Sequence, residues 1–427
     1  MSGKLLQNKD PKLEAMTVSH TVKAPKEIKV DDKKLKRVAR PLRHVKHIPV
    51  KALVFQSKEG PIDYSYEKKI KTPISKNKLV VQIGYVGLNP VDMKIKNGYS
   101  ANGLYGEIGL GREYFGVISA VGEKLVGENS WKEGDEVMGI YYHPHLGKGT
   151  LQTSLLIDPK VDPIIQKPQN VTMQEAAGSL YCLGAAYTIL SKLEANGSLK
   201  ADSNVLINGG TSSVGMFALQ LLKNHFHLVK KIVVITTSTG STVLRNHFPD
   251  FANDLIFINY LNCRGKSSKP LRKMLSDRKY SDFDDESNVE SFFNYNQGKF
   301  NIVLDFIGGY DILSHSSTLI HSGGQYVTTV GDYVEDYKND VFESWDNPSA
   351  NARKMFGSLL WSYTYTHFYF DPNTNVKWIK ECTDLLEKRV VKCVIDKVYD
   401  WKDYKEAFSY MKTQRAQGKL IMKVEKF

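Results

Sequence analysis

The chain has 427 residues, 41% of them hydrophobic, enough for ordinary globular cores and for two domains or more. Its formal charge of +12 is uneven: residues 1–51 hold 14 Lys/Arg against 5 Asp/Glu, the remainder 44 against 41, so the basicity belongs to one end. Four scattered cysteines with no C-x-x-C pair argue against a zinc cluster and a disulfide framework, and without an apolar run of about 18 residues nothing spans a bilayer.

Residues 1–48 are polar, lysine-rich and poor in aromatics, which predicts a disordered basic tail. The chain starts without an apolar signal core and without Gly at position 2, so an intracellular protein, soluble or peripherally attached, is expected. The cations of residues 23–51 suit anionic membrane lipids, each contributing about 1 kcal/mol near the surface. A nuclear-import or nucleic-acid patch and a plain solvated linker are the other readings of the same charges; lipid, with no nucleic-acid partner, is the expectation carried forward.

From Val50 short strands alternate with glycine turns. Ala52–Phe55 and Leu79–Leu88 read as strands, followed by the turn Gly87–Asp92, the stretch Gly111–Gly122 and the stretch Gly134–Gly139. This pattern predicts a small β-barrel-like domain over 49–172. At 204–222 a buried strand, Val205–Ile207, runs into Gly209-Gly210-Thr211-Ser212-Ser213-Val214-Gly215 and then into helical spacing of apolar residues. Strand, Gly-rich turn and helix open a dinucleotide-binding βαβ unit, with a pyrophosphate on the helix N-terminus. Gly210 is expected to make the tight turn and Gly215 to let the helix pack close. Ser212, standing where glycine usually admits the phosphate, is expected to crowd it. Gly210, Thr211, Ser212, Ser213, Val214 and Gly215 are the candidate cofactor residues.

The second strand, Ile232–Ile235, ends in Thr236-Thr237-Ser238-Thr239, with no carboxylate to bind a ribose 2′-OH. Small hydroxyls there suit the 2′-phosphate of NADPH. Arg264–Lys299 and Asp332–Ala352 read as surface insertions. The aromatic run Trp361–Phe370 reads as a strand with residues 361, 363, 365 and 369 on one face, and a helix is expected over 376–389.

These segments resemble, in order from about Val50 to Phe427, the medium-chain dehydrogenase/reductase superfamily. Glu175–Leu180 resembles the helix that leads into its cofactor domain; Phe300–Gly309, Gly323–Gly331 and Gly418–Met422 resemble later strands. The implied fold is α/β: a doubly wound parallel-sheet (Rossmann) domain over 173–370 and a GroES-like β-barrel domain over 49–172, to which 371–427 returns. Ser238, Arg245, Tyr260 and Gly331 join the cofactor candidates by this resemblance.

Zinc-dependent members of the superfamily take catalytic ligands from a cysteine in the loop matching 87–92 and a histidine–glutamate pair matching 111–113. Asn89 and Arg112-Glu113 stand there, so no tetrahedral site forms from these positions and no zinc is expected. The chain thus resembles the zinc-independent, quinone-oxidoreductase-like branch, in which a nicotinamide gives hydride to a quinone or enone. Asn89, at the cofactor and substrate cleft, is the candidate catalytic residue, its amide N–H facing a carbonyl oxygen; its other reading, shared with Asp92, is to pin the turn. Some relatives carry a tyrosine where Lys94 stands.

The whole chain also resembles a narrower fungal group, the Ast proteins, through the length of its extension and Pro49–Phe55. That resemblance implies a lipid-raft-associated peripheral membrane protein, on secretory-pathway and plasma membranes, that assists delivery of the plasma-membrane proton ATPase to the cell surface. The alternative is an NADPH-dependent reductase of quinones or enones. A homodimer through the cofactor domain is expected, with Trp361, Tyr363 and Tyr365 on an edge strand; alternatively, the Asp332–Ala352 insertion covers them.

Overall fold

A computed structural model describes residues 46–100, 103–128, 130–276, 298–333, 348–374 and 377–424. The expected tail over 1–48, apart from its last residues, lies outside this range, as do most of the two expected insertions.

The strands, in chain order, are β1 (His47–Phe55), β2 (Asp63–Lys71), β3 (Leu79–Leu88), β4 (Ile108–Gly109), β5 (Glu113–Val121), β6 (Glu136–Ile140), β7 (Ser154–Ile157) and β8 (Ile164–Gln166). They continue as β9 (Val205–Asn208), β10 (Ile232–Thr236), β11 (Leu255–Asn259), β12 (Phe300–Asp305), β13 (Ile320–Thr328), β14 (Thr364–His367), β15 (Ile395–Asp400) and β16 (Lys419–Lys423).

Six of them form a parallel sheet in the order β11-β10-β9-β12-β13-β14. Val205, Leu206 and Ile207 are fully buried because β9 is central and covered on both faces, which is why it reads as an unbroken apolar run. The chain leaves β9 toward β10 on one side and returns beside it as β12 on the other. The order therefore reverses at β9, and ligands of doubly wound sheets bind outside the strand ends at that reversal. The Gly-rich turn lies there.

A second sheet runs β15-β16-β3-β5-β6-β8, with β7 also on β3; β1 forms a smaller sheet with β2 and β4. β16 pairs antiparallel with β3, so the closing strands join the N-terminal sheet. The helix Met173–Ala195 lies against β3, β5, β6 and β16 and against the helix Ser213–Asn224, linking the two sheets. It begins with a capping box, Thr172 with Glu175, and is buried around most of its circumference, as a helix between two cores must be.

The aromatic run departs from its expected form. Only Thr364–His367 is a strand; Trp361–Tyr363 form the bend after a helix, Pro348–Leu360. Tyr363 and Tyr365 are buried within the chain. Asp332 accepts hydrogen bonds from the Tyr365 hydroxyl (2.8 Å) and Arg353 Nε (3.0 Å), and the Arg353 guanidinium lies over the Trp361 ring. That helix, which includes the end of the expected insertion, packs on β14 and shows Met355, Phe356, Leu359 and Leu360 to solvent.

Candidate cofactor cleft and its buried polar floor

The Gly-rich turn is a cradle that side chains would fill. Gly209 has φ +87°, and a Cβ on it would stand 2.7 Å from the Ile307 side chain. Gly210 lies against Val234, and Gly215 against the Gly209 carbonyl. The tight left-handed position is thus Gly209, not Gly210 as the sequence suggested; a side chain at Gly209 would meet Ile307 and one at Gly210 would meet Val234. The Ser212 hydroxyl donates to the Gly209 carbonyl (2.8 Å) and accepts from Gly215 N–H (3.0 Å), so it caps the helix Ser213–Asn224. Thr211, Ser212, Ser213 and Val214 stay half-buried at the mouth. A glycine cradle at a helix N-terminus fits a dinucleotide pyrophosphate.

The end of β10 completes this rim. The Thr211 and Thr236 hydroxyls are 3.0 Å apart. Ser238 accepts from Asn259 Nδ2 at 2.6 Å, and Tyr260 N–H donates to the Thr236 carbonyl at 3.1 Å. Ser238 and Tyr260 are therefore brought beside the loop. Arg245 lays its guanidinium over the Phe257 ring, 4.7 Å from the centroid, so the ring is one of its partners. Across the reversal Gly331, with φ +118°, donates to the Thr328 hydroxyl, and its carbonyl accepts from Gly309 N–H. Between the two sides, Asp305 is fully buried. It accepts from Asn208 Nδ2 (2.9 Å), Ile307 N–H (3.0 Å), Gly308 N–H (2.8 Å) and the Tyr326 hydroxyl. Burial raises its pKa, opposed by those hydrogen bonds. Gly209 and Asp305 were missed from sequence.

Beside the rim a second cluster is sealed from water. Lys419 Nζ lies 2.6 Å from Glu113 Oε1, 2.6 Å from Asn89 Oδ1 and 3.4 Å from Cys182 Sγ. Asn89 Nδ2 donates to Glu113 Oε1 (2.8 Å) and the Gly87 carbonyl (3.3 Å), while Glu113 Oε2 accepts from Tyr181 N–H (3.0 Å). Both amide hydrogens of Asn89 are thereby used inside the protein, and none is left for a substrate carbonyl. This corrects its candidate catalytic role: the residue is 1% exposed and holds the floor together. Asp92 pins the turn, accepting from Asn89 and Gly111 N–H groups. Arg112 is fully buried, donates to the Gly109 and Lys148 carbonyls and faces Asp92 at 3.5 Å.

Burial opposes the charge on Lys419, but the neighbouring thiol and the Glu113 carboxylate more than restore it, and its pKa lies above the ordinary lysine value. Burial pushes the Cys182 thiol up. Asn89 and Glu113, two of the positions that resemble zinc-ligand positions, thus meet at an ammonium. Among the described residues no group of three or more His, Cys, Asp or Glu could hold a metal ion. Sequence reading missed Lys419 and Cys182; the available signal was a lysine inside an apolar closing strand.

Comparison with known proteins agrees with the fold described above. Residues 75–158 match the alcohol dehydrogenase GroES-like domain family, and residues 282–422 match the family described as zinc-binding dehydrogenase. Protein AST1 of Saccharomyces cerevisiae is 66% identical over 432 residues, covering 100% of both chains. Protein AST2 of the same yeast is 66% identical over 433 residues, again with full coverage of both. The structure of the quinone oxidoreductase from Coxiella burnetii superposes with a TM-score of 0.63 at 19% identity, covering 89% of this chain and 100% of that one.

Proposed function

The chain belongs to the Ast protein family, on the medium-chain dehydrogenase/reductase fold, and from this we propose that it is a peripheral membrane protein assisting delivery of the plasma-membrane proton ATPase to the cell surface. One observation carries the reading of the fold as a platform. The floor where an electrophile would be needed is closed by the chain's own Lys419, Glu113 and Asn89, with no amide hydrogen left for a substrate. The basic residues 23–51 supply a reversible attachment to anionic lipid, set by charge and therefore steeply weakened by salt.

The test compares the full chain with residues 48–427 in cells lacking the endogenous copy. The full chain should restore the surface fraction of the ATPase and pellet with anionic vesicles at low salt; the shortened chain should do neither. If the shortened chain restores delivery and pellets equally well, the role assigned to residues 23–51 is wrong. If neither form alters the surface fraction, the delivery reading falls.

A second reading, an NADPH-dependent reductase of quinones or enones, is favoured by the glycine cradle at the sheet's reversal. Bound there, a nicotinamide would supply hydride; Gly209, Gly210 and Gly215 would admit the pyrophosphate, and Ser238 and Tyr260 would face the 2′-phosphate side. Titration of the purified chain should give tighter binding of NADPH than of NADH. Equal affinities would defeat the reading of Thr236–Thr239, and no binding of either would remove the reductase.

A further inference from the structure

We propose that Lys419 and Cys182 are the two partners of an oxidative cross-link, an S–O–N bridge from the thiol sulfur to the lysine nitrogen, formed with dioxygen. The reactive atoms are already in contact, Nζ donating to Sγ at 3.4 Å, with 1% and 4% of the two residues exposed. Neither group is free to turn away. Lys419 is held by Glu113 and Asn89, each at 2.6 Å, and Cys182 donates to Asn89 Oδ1 at 3.5 Å from a helix packed on the second sheet and on the helix Ser213–Asn224. Glu113 is also placed to take a proton from the ammonium as the nitrogen becomes a nucleophile. The site is tightly packed: a Cβ on Gly178 would lie 2.7 Å from Lys419 Cγ, and Cys393 donates to the Gly178 carbonyl beside it. Such a pocket admits a small uncharged oxidant more readily than a charged one.

The step balances. Thiol, amine and one dioxygen give the bridge and one water. The S–H bond, one N–H bond and the O–O bond are broken; the S–O and O–N bonds and the two O–H bonds of water form. Sulfur and nitrogen each give up two electrons, and the second oxygen leaves as water with two of the three hydrogens. Two equivalents of a dithiol, each closing to its disulfide, return the four electrons and four protons that restore thiol, amine and water. The link joins β16 to the helix Met173–Ala195, and Gly418, just before β16, donates its N–H to the Thr211 carbonyl of the Gly-rich turn. Oxidation would therefore stiffen the joint beneath the cofactor rim.

The full-length protein is purified anaerobically, then held in air-saturated buffer and measured by intact mass and peptide mapping. The expected result is a gain of one oxygen less two hydrogens, a peptide pair joining 182 to 419, and complete reversal by dithiothreitol. Lys419→Arg keeps a cation beside Glu113 and Cys182→Ser keeps the volume; neither should gain that mass, while Cys393→Ser should behave as wild type. Gains of whole oxygens on Cys182 alone would place it on the ordinary sulfenic–sulfinic ladder and overturn the proposal. A Cys182–Cys393 disulfide, or an unchanged wild-type mass, would overturn it as well. The wild-type peptide map decides the matter even where a variant folds poorly.

Discussion

Lys419→Met is the sharpest test of the buried floor. Methionine fills the lysine stem but leaves the Glu113 carboxylate, 0% exposed, without its ammonium at 2.6 Å. Removing one partner of a buried pair costs about 3–5 kcal/mol. Asn89 Nδ2 and Tyr181 N–H still serve Glu113, so the lower end, about 3 kcal/mol, is expected. A loss of that size is a large share of a typical stability of about 5–15 kcal/mol. Adding Glu113→Gln removes the stranded charge, and the double variant should recover to within about 1 kcal/mol of wild type. Urea unfolding followed by tryptophan fluorescence measures both. The sign with pH is fixed: the folded pKa of Lys419 is raised, so its contribution is fully present below the unfolded lysine value of about 10.4 and is lost only as pH rises through the higher folded value. The gap between wild type and Lys419→Met should be level from roughly pH 8 to 10. Equal losses for the single and double variants would refute the argument that an uncompensated charge, and not lost packing, sets the cost.

Four further outcomes follow from local geometry. Burial lowers the Lys94 pKa to about 8 from 10.5, so the unfolded chain binds more protons between these values and stability rises with pH across that window; in Lys94→Met that rise should be absent from urea midpoints measured from roughly pH 7 to 10. Gly209→Ala forces a left-handed φ of +87° on a residue facing Ile307 and should cost about 1–3 kcal/mol and weaken any NADPH binding in titration. Ser212→Ala removes the cap of the helix Ser213–Asn224, at about 1 kcal/mol in chemical denaturation, whereas Ser212→Gly should cost only a few tenths. We propose pairing of two copies through the sheet edge at β14; Leu359→Asp, on the exposed face of the adjoining helix, should then turn a dimeric mass in light scattering into a monomeric one, and a monomeric wild type would refute the pairing.

The central parallel strands were legible because they are buried on both faces. Val205–Ile207 and Ile232–Ile235 are unbroken apolar runs, and the Gly-rich turn after the first, followed by apolar residues at helical spacing, reads as the start of a βαβ unit. The missing acid after Ile235 is equally local. Which glycine takes the positive φ was not, because both candidates permit it and both are hemmed in by side chains distant in sequence, Ile307 and Val234. The alternating aromatics near 361–369 follow a strand's period, yet the strand begins only at Thr364, since Arg353 and Asp332 anchor a helix against the sheet edge before it. The fate of Asn89 shows the limit most clearly. Its loop was placed by its neighbours in sequence, but its role was set by Lys419, 330 residues away, brought to it by the pairing of β16 with β3. Sequence records the period and turn chemistry of each segment; the partner of a buried polar atom is decided by which segments meet, because an unpaired buried amide or ammonium costs too much to leave the choice to local structure.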